Sequence, residues 1–148
     1  MPKFQFKLEG LLKLREFKED QLRNELGEIV RSLNQTRDDI ARLNREIDEA
    51  YESQNKVLSS PESAQMARFF DYFIRGKKEH IANKENSLYS LQKRYEKKAQ
   101  ELAHAMGEVK VMDNLKQKRF EEFKHDYEKE EQAKIEEFVI MRAGQKDK

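Results

Sequence analysis

The sequence predicts an all-α fold: an elongated antiparallel two-helix coiled-coil hairpin whose second helix is longer than its first. Three observations carry that expectation. Charged residues make up 40% of the 148 residues and hydrophobic residues 36%, which is little for a spherical core, yet the apolar positions are periodic rather than scattered. Only five Gly and two Pro occur, so the chain has few places to turn. The composition, rich in Glu, Lys, Leu, Ala and Arg, is that of long helices and coiled coils.

Helix 1 is expected over about residues 5–57. From Leu22 the seam runs Leu26, Ile29, Leu33, Thr36, Ile40, Leu43, Ile47, Ala50, Gln54 and Val57, in alternating steps of four and three. That spacing keeps one stripe facing a partner helix over about five heptads. Leu8, Leu12 and Arg15 fall on the same phase, and Glu19 interrupts it. Gly10 and Gly27 each cost up to ~1 kcal/mol relative to Ala inside a helix, so they mark weak points or a close backbone approach. The break is "LSSPES" at 58–63, with a turn at about 58–61, Ser60 as N-cap, Pro61 as first helical residue and Glu62 in the first turn.

Helix 2 is expected over about 61–142. Its seam reads Ile74, Ile81, Lys84, Leu88, Leu91, Tyr95, Lys98, Leu102, Ala105, Val109 and Met112, with two lysines expected to snorkel along their stems and loosen the packing. After Met112 the phase slips and Phe120, Phe123, Tyr127, Ile135, Phe138 and Met141 take over. Gly144 and the polar residues beyond it are expected to end the helix. Residues 1–148 thus read as a single coiled-coil domain. A turn near residue 60 makes paired positions sum to about 119–120, so Leu8 faces the region of Val111 and Phe4 that of Leu115. Residues past about 116 then overhang with an apolar stripe uncovered, for which self-association and a socket on another protein serve equally well.

"MARFFDYFIRG" (66–76) crowds Phe69, Phe70, Tyr72 and Phe73 into five residues. Successive helical residues diverge by ~100°, so the four cannot all point inward, and a contact surface at the tip is expected.

The exclusions are broad. Net charge is +1, with 11 basic and 12 acidic residues in 1–58 and 19 and 17 in 59–148, so no one-sided basic face offers itself to nucleic acid. No cysteine is present, and no apolar run approaches the ~20 residues of a membrane span. His80, His104 and His125 stand 24 and 21 residues apart, without metal-ligand spacing. There is no glycine-rich phosphate loop and no activated nucleophile. These features point to a cytoplasmic protein that is not an enzyme and needs no cofactor or metal.

"KFQFKLEGLLKLREFKEDQL" (3–22) resembles the opening of the FliJ family of the bacterial flagellar type III export apparatus: an aromatic-x-aromatic-x-Leu, a Leu-Leu pair and a basic residue, here Phe4, Phe6, Leu8, Leu11, Leu12 and Arg15. "MARFFDYFIRGKKEHI" (66–81), "VKVMDNLKQKRFEEF" (109–123) and "IEEFVIMR" (135–142) are similar to later segments of that family. The resemblance implies an antiparallel two-helix coiled coil like the terminal helices of the rotary-ATPase gamma subunit. It implies a non-enzymatic stalk that inserts into the hexameric export ATPase ring, contacts the cytoplasmic domain of the export gate membrane protein and escorts substrate chaperones. The chain would then be a monomer with at most weak self-association, held peripherally at the cytoplasmic face of the inner membrane through the export apparatus.

On that resemblance, ring binding is assigned to Phe4, Phe6, Leu8, Leu12, Phe120, Phe123, Tyr127, Phe138 and Met141, and gate binding to Ile47, Tyr51, Phe69, Phe70 and Phe73. Gly76, Lys77 and Lys78 depart from the apolar character expected of the gate surface. The alternatives are a generic homodimeric coiled-coil scaffold with no export role and the equivalent YscO-type stalk of virulence type III secretion systems.

Overall fold

The computed structural model describes residues 2–59 and 64–146. They form two helices, α1 over Glu9–Val57 and α2 over Ala64–Lys146, and no strand. The second helix is the longer, as its seam predicts, and it is unbroken through Lys116. The expected N-cap Ser60, with Pro61 and Glu62, lies outside the described residues. On the α1 side of that link, the Leu58 amide donates to the Gln54 carbonyl at 2.9 Å and the Ser59 hydroxyl to the Lys56 carbonyl at 2.6 Å, satisfying two acceptors of the last turn.

Both outer helix bounds differ from expectation. α1 starts at Glu9 rather than near residue 5: residues 2–6 take no regular secondary structure, and along them Phe4 and Phe6 are half-buried while Lys3, Gln5 and Lys7 are exposed. α2 runs to Lys146 rather than stopping near 142; Gly144 has no positive φ and does not cap it.

The chain divides into two compact units, one comprising Met1–Asp20 with Ala103–Lys148 and the other Gln21–Leu102. In the Gln21–Leu102 unit the α1 seam is continuous: Leu22, Ile29, Leu33, Thr36, Leu43, Ile47 and Ala50 are buried, with Leu43 at 1% exposure. Thr36 keeps its place by donating its hydroxyl to the Ser32 carbonyl at 2.8 Å. The α2 side is weaker. Ile74 and Leu102 are buried, but Ile81, Lys84, Leu88, Leu91 and Lys98 are only half-buried and Tyr95 is exposed.

The two seam lysines do more than snorkel. Lys98 Nζ lies 2.8 Å from Glu25 and Lys84 Nζ 3.2 Å from Asp39, both on α1, and Lys77 reaches Glu46 at 2.7 Å. Each of these antiparallel pairs sums to 123, not 119–120, so the register is displaced by three to four residues, about one helical turn.

In the unit of Met1–Asp20 with Ala103–Lys148, Leu12 packs with Val109 and Met112, and Phe6 lies against that cluster. Arg15 approaches Glu108 at 3.8 Å and Lys116 approaches Glu9 at 2.9 Å. The register again differs: Phe4 meets Phe120 and Phe123 rather than the region of Leu115. Residues just past 116 are therefore partly covered, and the uncovered stretch begins later than expected. A Cβ added at Gly10 or Gly27 meets nothing within 4 Å, so these glycines serve no close approach and remain weak points of α1.

Candidate functional site

Two sets of apolar side chains stand out, one in each unit. In the first, the segment before α1 places the Phe4 ring 5.5 Å from Phe120, edge to face at 73°, and 5.6 Å from Phe123. Such offset geometry suits the ring quadrupoles. Leu12 is 2% exposed and belongs to the core, while Leu8 is exposed and Tyr127 half-buried. Farther along α2 none of the described residues of this unit covers the helix. Phe138 and Met141 are 62% and 67% exposed, and Ile135, Val139 and Ile140 are exposed beside them. The Arg142 guanidinium sits 5.9 Å from the Phe138 ring. The assigned ring-binding residues are thus of two kinds. Phe4, Phe6, Leu12, Phe120 and Phe123 pack on one another or on the core, and Phe138 and Met141 face water.

The second set opens α2. Ile47 and Ile74 are buried with Ala50, and Phe70 and Ile81 pack against them. Phe69 and Phe73 turn outward with rings stacked at 6.5 Å and 26°. They flank a shallow groove of about 230 Å³ whose other wall is Glu46, Glu49, Ala50 and Ser53. Tyr72 is 74% exposed, with the Arg75 guanidinium 6.0 Å from its ring. Of the assigned gate-binding residues, Tyr51, Phe69 and Phe73 are at the surface, Phe70 half so, and Ile47 supports them from the core. Lys77 and Lys78, which departed from the expected apolar pattern, lie on aromatic rings: Lys77 Nζ is 5.1 Å from Phe73 and Lys78 Nζ 5.7 Å from Tyr51. Gln54 braces this end by donating to the Ala67 carbonyl at 3.2 Å and to Asp71 at 2.8 Å.

Charge along the helices is matched locally. Gln35 and Lys84, both donating to Asp39, hold its carboxyl below the usual carboxylate range, and Lys77 does the same for Glu46. Glu25 and Glu101 hold the Lys98 ammonium above its ordinary value, and Glu9 does so for Lys116. None of these groups lies in an enclosed pocket. Among the described residues no group of three or more His, Cys, Asp or Glu is placed to hold a metal ion, and no helix is long and apolar enough to cross a membrane.

The model of the family described as "Flagellar FliJ protein" matches residues 4–148. The chain belongs to the FliJ family. No curated protein and no solved structure matches it. Membership of the FliJ family, a non-catalytic export component, ties the coiled coil to flagellar protein export and type III secretion. The match takes in both apolar sets of this FliJ-family chain.

Sequence reasoning missed several exposed apolar residues. Val139 and Ile140 were passed over because they fall off the 4-3 seam, and Leu14 and Phe17, 63% and 67% exposed, because they point away from it. The signal was present in the sequence: an off-seam Phe or Ile on an otherwise charged face marks a surface that water alone does not require.

Proposed function

We propose that this FliJ-family chain is a non-enzymatic stalk of the flagellar export apparatus. The Ile135–Met141 stretch, with the packed aromatics behind it, enters the central opening of the export ATPase ring. The aromatic surface of Tyr51, Phe69 and Phe73 meets the cytoplasmic domain of the export gate. Chaperones of export substrates are escorted on the same exposed apolar surfaces, and the chain is cytoplasmic, reaching the membrane only through its partners.

The observation that carries this reading is the run of exposed Ile135, Phe138, Val139, Ile140 and Met141. Each such side chain is worth ~1.5–3 kcal/mol when taken out of water, so a protein surface that accepts the stretch gains substantially. An amphipathic helix end fits an apolar socket and lets go when the socket changes shape.

The test is ATP hydrolysis by the cognate export ATPase, with the full chain and with a truncation ending at Lys134. Cutting there removes the exposed stretch and spares the contacts of Phe120 and Phe123. Stimulation by the full chain and its loss on truncation supports the stalk. A full chain that leaves hydrolysis unchanged, together with a dimer that the truncation converts to monomer, replaces it with the homodimeric scaffold, in which a second copy covers Ile135–Met141.

A further inference from the structure

The segment before α1 is held in a way unlike the rest of the molecule. Residues 2–6 take no regular secondary structure and, among the described residues, make one backbone hydrogen bond outside the helices, the Glu9 amide donating to the Phe6 carbonyl at 3.1 Å. The Phe4 ring is seated 5.5 Å from Phe120 and 5.6 Å from Phe123. An open surface hollow of about 410 Å³ lies beside it, lined by Phe4, Gln5, Phe6, Glu9 and Lys116. The Glu9–Lys116 ion pair at 2.9 Å fixes the point where the segment leaves α1. Phe6 is anchored on Leu12, Val109 and Met112, so residues 2–5, which make no backbone hydrogen bond among the described residues, are the part that stands at the low-stability end of local opening.

What it covers is apolar and lies on the same helix as the exposed stretch. Phe120 is still 40% exposed with Phe4 in place, and Phe123 and Tyr127 are half-buried. We propose that residues 2–5, hinged at the packed Phe6, are a removable strap over Phe120 and Phe123, and that its release lengthens the apolar strip that α2 offers to a partner. Resting on the stalk reading, the strap keeps the strip short while the chain is free. The ring competes with Phe4 for Phe120 and Phe123 as it closes around α2.

The chain has no cysteine, so a nitroxide on Gln5→Cys is a unique probe of the strap. In the free chain the spectrum is expected to be restricted. Phe120→Ala should speed the label's motion roughly threefold or more with helicity unchanged, because the ring contact is its main anchor. A label unaffected by Phe120→Ala overturns the strap. When the export ATPase is added to a chain that stimulates it, a mobile component should grow. A label that stays as it was, or becomes more restricted, shows that the strap remains in place or is itself the contact, and overturns the proposal.

If the full chain does not stimulate, the stalk reading fails. The strap is then decided on the free chain. Deleting residues 2–5, which spares Phe6, must raise binding of an apolar dye roughly twofold or more, and unchanged dye binding overturns it.

Discussion

Lys84 and Lys98 occupy positions that a heptad keeps for apolar side chains, and each meets an acid on α1. Asp39 and Glu46, on the receiving side of Lys84 and Lys77, have carboxyls held below the ordinary range. A depressed carboxylate contributes stability above its unfolded-state pKa and loses it as pH falls through its folded value. The Gln21–Leu102 unit is therefore expected to weaken in acid, and the double variant Asp39→Asn, Glu46→Gln to show a flatter loss, in urea midpoints taken from about pH 6 to 2. Lys98 works in the opposite sense. Its raised pKa gives a contribution complete below the ordinary lysine value and lost as pH climbs through the elevated one, so it does not shape the acid limb. Apolar residues behave more simply. Leu43, 1% exposed, should cost ~2–5 kcal/mol as Leu43→Ala, read as a lower urea midpoint with unchanged slope. The Phe4–Phe120 contact should show a coupling of ~0.5–1.5 kcal/mol in a double-mutant cycle.

The α1 seam was legible at sight, because Leu22 to Val57 repeats without interruption and every member is buried or half-buried. The register was not. Alternating steps of four and three look alike after a slide of one turn, and the choice is marked by Lys77, Lys84 and Lys98 finding Glu46, Asp39 and Glu25. The start of α1 was placed about four residues early because Leu8, Leu12 and Arg15 continue the phase of the seam, whereas the residues before Glu9 are not helical. Of the candidate surfaces, the burial of Ile47 followed from the seam, and helical geometry required only that Phe69, Phe70, Tyr72 and Phe73 not all point inward, whereas which rings turn outward and the Phe4–Phe120 contact depended on the true register. One weakness in α1 remains correctable. Nothing stands within 4 Å of a Cβ at Gly27 and its φ is not positive, so Gly27→Ala should raise stability by up to ~1 kcal/mol, seen as a higher Tm.

For the molecule as a whole, a net charge of +1 from 30 basic and 29 acidic residues leaves little long-range field to steer a partner. The proposed contacts are apolar and short-ranged. Raising salt from ~0.1 M to ~1 M shortens the Debye length from ~10 Å to ~3 Å. Stimulation of the export ATPase should survive that change, whereas binding built on ion pairs would fade. Membership of the FliJ family was within reach of the sequence, since its motifs are distributed over almost the full length and the match runs from 4 to 148. Which surface each partner takes was not, because aromatic residues on a charged helix identify a sticky face without naming what adheres to it.

The uncovered run from Ile135 to Met141 also bears on how long the chain lasts in a cell. Quality-control proteases and holding chaperones recognise water-exposed apolar segments, the same feature that marks an unfinished fold. A molecule left without its socket carries that mark permanently, even though its helices are formed. Its half-life should rise when the export ATPase is co-produced and fall when the ATPase is withdrawn. The truncation at Lys134 should be long-lived in both settings. Abundance would then follow the number of sockets, with surplus copies cleared without any dedicated regulator.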